Sequence, residues 1–215
     1  MLSRFLEFGC GAKKCRMQFE KAYSFLLRKL REELPPWLTY HNVQHTKYVV
    51  EAVKFLSKAE DIRSKDVTLL KTAAAFHDAG FIKGYDNHEE LSCEIAKEIL
   101  PRFNYTAKEI EKICQLIMVT KTPQVPHNHL EQILCDADLL YLGTDEYEET
   151  AEKLFGELKH KGEVKNRQVW EERQTQFLSN HRFFTQTAIK KYAKKKEQNL
   201  KRLTISANEE RIQPL

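Results

Sequence analysis

Ala73-Ala74-Ala75-Phe76-His77-Asp78-Ala79-Gly80 sets an imidazole and a carboxylate side by side at the end of an apolar, alanine-rich run. Leu70, Ala73, Ala74 and His77 recur at i, i+3, i+4 and i+7, the spacing of one helix face. The face that enters the core therefore ends in His77, with Asp78 beside it and Gly80 placed to stop the helix. Two donors at a buried helix end can close on one cation. Alone, a His-Asp dipeptide is an ordinary surface pair; its meaning depends on which other ligands the chain brings to the same place.

The chain has 215 residues, enough for one domain with its own core, or one domain with an added helical lobe. Seven glycines, six prolines and a charged fraction of 31% favour long amphipathic helices over turn-rich sheet. The fold class expected is all-α. No apolar run reaches the length of about 18 residues that a membrane span needs. Met1 to Glu7 has an early acid and no long apolar core, so no secretory signal is expected. The cysteines at 10, 15, 93, 114 and 135 are odd in number and scattered. Cys93, Cys114 and Cys135 fall inside helical patterns and read as small buried hydrophobes. Cys10 and Cys15 are spaced as a pair but lack the partners of a zinc site. Reduced thiols and a cytoplasmic setting follow. A net charge of +4 is compatible with a phosphate-bearing ligand without demanding one.

Working outward, residues 13–34 predict a first helix with Phe19, Tyr23, Leu26, Leu27, Leu30 and Leu34 on one face, stopped by Pro35-Pro36. Residues 1–35 are thus an N-terminal helix packed on a domain that spans 36–203, and 204–215 are a polar tail expected to fray. A second helix, about 42–58, puts His45, Val49, Ala52 or Val53, and Leu56 inward; His41 lies one turn above His45 if the helix starts that early. The third helix, about 65–79, carries His77 and Asp78. Gly80 to Tyr85 form a loop suited to a rim. Asp86 to Glu89 read as a capping box, which offers Glu89 a structural role. Thr106 to Glu109 form a second box, before Ile110, Ile113, Cys114 and Ile117. Pro123 and Pro126 mark a loop with His127 and His129.

In the helical run 129–142, Leu130, Ile133, Leu134, Ala137, Asp138 and Tyr141 track one face. A carboxylate on that line is costly unless something positive meets it. Asp136 lies roughly 200° round the helix from Asp138, so the two acids do not reach one cation together. Periodicity favours Asp138 and leaves Asp136 as the runner-up. Further helices are expected at 145–160, 166–183 and 184–203, with Trp170, Phe177, Phe183, Phe184, Ile189 and Tyr192 inward. Lys190-Lys191 and Lys194-Lys195-Lys196 read as a solvated face; without interleaved aromatics they do not suggest nucleic-acid binding.

Three helical segments thus present His45, His77 with Asp78, and Asp138. Two imidazoles and two carboxylates suit Mn, Fe, Zn, Co or Ni, and Mg where water completes the shell. Four protein ligands leave an octahedral ion open to water and substrate. No phosphate loop or dinucleotide fingerprint competes. The order His, His-Asp, Asp resembles the HD superfamily of metal-dependent phosphohydrolases, through Tyr40-His41-Asn42-Val43-Gln44-His45, Phe76-His77-Asp78 and Ala137-Asp138-Leu139-Leu140. It is similar in particular to a bacterial subgroup of predicted HD phosphohydrolases. The shared stretches are His88-Glu89-Glu90-Leu91-Ser92, Val119-Thr120-Lys121, Asp136 to Gly143, and Asn166-Arg167 to Phe177-Leu178.

That resemblance implies an HD-domain helical bundle with a C-terminal helical extension, and a divalent metal held by His45, His77, Asp78 and Asp138. It implies hydrolysis of a phosphate monoester or diester, a nucleotide first, by metal-activated water. Asp78 then has a catalytic as well as a ligating part. His41 matches a position that protonates the leaving oxygen in one branch; its other reading is a hydrogen bond to a supporting carboxylate or a helix cap. Glu89 orients water or a ligand histidine, or caps its helix. Lys121, Arg167 and Arg173 are the candidate phosphate holders, each also readable as a surface charge. A homodimer is compatible with the pattern. A regulatory domain that binds metal or nucleotide without turnover is the alternative, and a di-iron oxygenase, which would need His88, His127 and His129 as further ligands, ranks below it.

Overall fold

The computed structural model describes residues 16–212, with side chains as far as residue 205. Cys10 and Cys15 lie outside the described residues. Among those described, the chain forms nine α-helices and three short 3-10 turns, with no strand. The helices are α1 (Phe19–Glu33), α2 (Val43–Ala59), α3 (Ser64–Phe76), α4 (His88–Ile99), α5 (Ala107–Met118), α6 (His129–Asp138), α7 (Tyr147–His160), α8 (Arg167–Asn180) and α9 (Gln186–Ile212). The fold is all-α, as the composition and periodicity predict. No helix among the described residues is long and apolar enough to cross a membrane.

One hydrophobic core runs from Phe19 in α1 to Ala188 in α9. α3 packs against α1, α2, α5 and α6, and Ala73, Ala74, Ala75 and Phe76 are all buried. Alanines carry nothing beyond Cβ, so neighbouring helices can close on α3 from several sides. Leu70, Ala73, Ala74 and His77 are buried together, as the face predicts.

Several boundaries differ from expectation. α1 begins at Phe19 because the preceding Gln18 N–H is tied 3.0 Å from the carbonyl of Phe103, which holds residues 16–18 out of the helix. The Asp86–Glu89 capping box does not form. Asn87 adopts φ 56°, a left-handed conformation that Asn tolerates, and α4 starts at His88 with no side-chain cap. The Thr106–Glu109 box does form. α6 stops at Asp138 and tightens into a 3-10 turn over Leu140–Gly143. Gly143 abuts α9 there: a Cβ on it would lie 2.5 Å from the Tyr192 carbonyl oxygen. α9 continues through 204–212 instead of fraying after 203, since this stretch holds no glycine or proline. Ile189 is 42% exposed rather than inward. Lys196 departs from the solvated lysine face. It is buried and donates to the carbonyls of Leu178 and His181, closing the end of α8.

Candidate metal centre

Each helix end that carries a donor is fixed locally. Asn42 is the N-cap of α2, and its side-chain oxygen accepts from the N–H groups of Gln44 (2.8 Å) and His45 (3.3 Å). His45 therefore occupies the first turn of α2, and His41 lies just before the helix rather than on it. α3 ends at Phe76, with His77 as its C-cap and Asp78 opening a 3-10 turn over Ala79–Ile82. His77 Nδ1 donates to the Ala74 carbonyl at 2.8 Å, which leaves Nε2 as the ligating nitrogen. Gly80 serves close approach rather than helix termination. Its N–H donates to Ser92 Oγ, and that hydroxyl donates to the His77 carbonyl at 2.6 Å.

These ends converge. His45 Nε2 and His77 Nε2 stand 3.3 Å apart. Asp138 Oδ1 is 3.3 Å from His45 Nε2 and 3.4 Å from His77 Nε2. Asp78 Oδ2 lies 3.2 Å from His77 Nε2 and 3.4 Å from His45 Nε2. His45, His77 and Asp138 each offer a ligand atom within 4.8 Å of the others, a group that could hold a metal ion. Asp78 Oδ2 adds a fourth donor, and it is buried without a hydrogen-bond partner. A carboxylate oxygen buried beside two imidazole nitrogens and making no hydrogen bond is costly unless a cation meets it, so the donor set fits a divalent metal.

The electrostatics of the two carboxylates agree with that fit. Burial works against ionising Asp78 and Asp138, yet the histidines hold both carboxyls below the usual carboxylate range: His77 first for Asp78, and His45 with His77 for Asp138. Burial also opposes a charge on His77, but Asp78 and Asp138 hold its pKa well above the usual imidazole range. Ionised carboxylates in a buried pocket are the condition for cation binding.

Asp136 faces elsewhere. Its Oδ1 accepts from the Phe184 N–H and its Oδ2 from the N–H and hydroxyl of Thr185, all at 2.7–2.8 Å, at the start of α9. Burial nevertheless pushes its carboxyl up to about 6, against those hydrogen bonds. Asp138, not Asp136, stands beside His45 and His77.

Two partners of the centre escape the sequence reading. Glu157 of α7 is fully buried; it accepts from the N–H groups of Tyr40 and His41, and its Oε2 lies 2.7 Å from His41 Nδ1. Its position three residues after Leu154, near the inner face of α7, is the same signal that marks Asp138. Gln124 donates from Nε2 to Asp138 Oδ2 at 3.0 Å, and it sits in a loop where periodicity carries no information. His41 stacks on Phe81 at 4.4 Å, and its ring centroid is 6.0 Å from that of His45. Burial disfavours its charge, but the Glu157 hydrogen bond and Asp78 raise its pKa above the ordinary value.

The other sequence candidates are dispersed. Glu89 is buried, 3.4 Å from His88 Nε2, and His88 Nε2 is 3.7 Å from Asp78 Oδ1. Lys121 is exposed and paired with Glu90 at 2.7 Å. Arg167 forms a two-pronged pair with Glu152. Arg173 lines a cavity that also includes Gln124. His127 and His129 are exposed, the latter 3.3 Å from Glu60. Cys93, Cys114 and Cys135 are buried free thiols, as expected.

Residues 42–142 match the family model of the HD domain, and the four converging donors all fall inside that span. An uncharacterized protein of Clostridium beijerinckii is 32% identical over 97 residues, which is 44% of this chain; the match spans 61% of the length of that relative. The crystal structure of a predicted HD superfamily hydrolase from an uncultured Thermotogales bacterium is similar with a TM-score of 0.54 at 19% identity, covering 86% of this chain and 89% of the other. That likeness is one of fold.

Proposed function

We propose, from the match of residues 42–142 to the HD domain model, that the protein is a divalent-metal-dependent phosphohydrolase acting on a phosphate monoester or diester. The observation that carries this reading is the convergence of His45, His77, Asp78 and Asp138 on one buried space, with Asp78 Oδ2 making no hydrogen bond there. A divalent ion bound there supplies Lewis acidity toward water and toward a phosphoryl oxygen.

The chain's own residues do the rest. Ala74 fixes the His77 ring so that Nε2 faces the centre. His41 is the general acid: Glu157 engages its Nδ1 and stabilises the imidazolium, and Nε2 remains to pass a proton to the departing ester oxygen as the P–O bond breaks. Glu157 is a positioning residue, acting through His41. Glu89 acts at one further remove, through His88 beside Asp78. Lys121 and Arg167 are engaged in ion pairs and have no part in this reading.

The test is metal content by mass spectrometry on protein purified without chelator, beside His77→Ala and Asp138→Ala. A panel of phosphate monoesters and diesters, nucleotides among them, is then assayed with added Mn, Mg, Co or Ni. A stoichiometric ion lost in both variants, together with hydrolysis, supports the phosphohydrolase. Failure to bind metal under every loading condition overturns it, and two irons without hydrolysis replace it with oxygenase chemistry.

A further inference from the structure

The seam between α4 and α5 opens into a groove of about 1440 Å³. Two thiols that the metal centre does not use lie on it, Cys93 from α4 and Cys114 from α5. Cys93 Sγ is 3.5 Å from the Cys114 carbonyl oxygen, and Cys114 Sγ is 3.7 Å from that of Cys93. Each sulfur therefore touches the main chain of the facing helix. The two can meet by turning about their Cα–Cβ bonds, without movement of either helix, to give a disulfide whose Cβ atoms are about 4 Å apart.

The two thiols differ in character. A hydrogen bond from Cys93 holds the Cys114 thiol down to about 7; burial opposes this, and the Lys97 ammonium adds to it. The same contact, with burial, pushes the Cys93 thiol up. The thiolate is the nucleophile of sulfur chemistry, so Cys114 is the attacking sulfur and Cys93 the resolving one. Cys114 is also the more exposed, at 9% against 6% for Cys93, an opening that suits a small oxidant. Cys135 is the contrast: it is fully buried, burial pushes its thiol up, and it lines no part of the groove.

We propose that Cys93 and Cys114 are a reversible redox site, which a peroxide closes into a disulfide between α4 and α5. The Cys114 thiolate attacks one oxygen of hydrogen peroxide. An S–O bond forms, the O–O bond breaks, and the departing hydroxide takes up the proton that Cys114 released. The Cys93 sulfur then attacks the resulting sulfenic acid. The S–S bond forms, the S–O bond breaks, and the hydroxyl leaves with the Cys93 proton as water. Two thiols and one peroxide thus give one disulfide and two waters, and a dithiol reverses the change by exchange. The link stands next to Ser92, whose hydroxyl donates to the His77 carbonyl, so it pins α4 to α5 beside the tie between α4 and the metal centre.

The experiment treats the full chain, reduced and then freed of reductant, with hydrogen peroxide. Remaining thiols are blocked with N-ethylmaleimide in denaturant, and tryptic peptides are read by mass spectrometry. Expected is a linked species joining the Cys93 and Cys114 peptides, lost on treatment with dithiothreitol, while Cys135 in the same sample carries the maleimide. Cys93→Ser, whose hydroxyl can still donate to Cys114, should leave Cys114 as a sulfenic acid that dimedone captures. Cys114→Ser should slow oxidation of Cys93 by at least about tenfold, because the attacking thiolate is gone. Thermal melting confirms that both variants are folded, and the wild-type peptide map decides the linkage without them. Oxidation of Cys93 and Cys114 no faster than that of Cys135 overturns the site. So does a link from either of them to Cys10, Cys15 or a second chain. Capture of Cys93 by dimedone in Cys114→Ser as readily as of Cys114 in Cys93→Ser overturns the assignment of the attacking sulfur.

Discussion

His41 Nδ1 and Glu157 Oε2 lie 2.7 Å apart although 116 residues separate them in the chain. The Glu157 carboxylate is wholly buried and also takes the backbone N–H groups of Tyr40 and His41, so it fixes the ring, the main chain under it and the charge upon it. Glu157→Gln keeps the shape and removes the charge. Its turnover should fall by about a hundredfold, within the usual contribution of a positioned acid, while metal content is unchanged. The pH profile distinguishes this from loss of fold. A general acid works while protonated, and Glu157 raises the pKa of His41. Without that carboxylate the alkaline limb moves to lower pH. His41→Ala should abolish turnover, retain metal and lack that limb. An unmoved limb in Glu157→Gln would show that the pair is structural only.

Asp136 and Asp138 separate in the same way. Asp138→Asn should lose metal and keep its fold, because its carboxylate faces His45 and His77. Asp136→Ala should keep metal and lose about 3 kcal/mol of stability, since three hydrogen bonds at the start of α9 go with the carboxylate. Metal analysis and urea unfolding on both variants check this; metal loss in Asp136→Ala with Asp138→Asn still loaded would reverse the assignment.

The two acids also show what a sequence can and cannot say. Helix periodicity distinguishes them because both lie on a regular helix with a continuous apolar line, and the same holds for His45; His77 is the C-cap of α3 but keeps helical backbone angles, so the face of α3 carries over to it. Glu157 lies on an equally regular helix and carried the same signal, a carboxylate beside Leu154 near the buried face. Gln124 and His181 were not legible. Each sits where the chain leaves helical geometry, and there no period relates residue number to direction. Asn87 illustrates the converse: a plausible capping box at Asp86 and Glu89 was cancelled by one left-handed residue, which local sequence permits but does not require.

His181 gives the protein an acid-sensitive element. Burial, and then the Lys196 ammonium, lower its pKa from 6.5 to about 4, against a smaller opposing pull from Asp138. Between those values the unfolded chain binds a proton that the folded chain refuses, so this group removes stability as pH falls through the window and has no effect above it. The full loss is on the order of 3 kcal/mol. Urea unfolding of metal-free protein at neutral pH and at several points down to the low end of that window measures it. His181→Phe, which keeps a flat ring and cannot take the proton, should show a shallower decline; an identical decline would place the acid sensitivity elsewhere.

Gly80 tests whether the approach of α4 to the end of α3 holds the centre together. A Cβ there would lie 1.9 Å from the His88 carbonyl oxygen and 2.8 Å from the Ser92 nitrogen, both backbone atoms that cannot turn aside. Gly80→Ala must therefore push the first turn of α4 away. That displaces His88 from Asp78 and strains the Ser92 hydroxyl that donates to the His77 carbonyl. Overpacking of this kind should cost about 3 kcal/mol and weaken metal affinity, because His77 and Asp78 take their orientation from the same turn. Gly84→Ala is the control: its Cβ would meet only Leu91 Cδ1, at 3.4 Å, an ordinary contact with a side chain that can adjust. Thermal unfolding with and without metal reads both effects. If Gly80→Ala melts and binds metal like Gly84→Ala, the seat of α4 on the His-Asp turn is not what orients the two ligands.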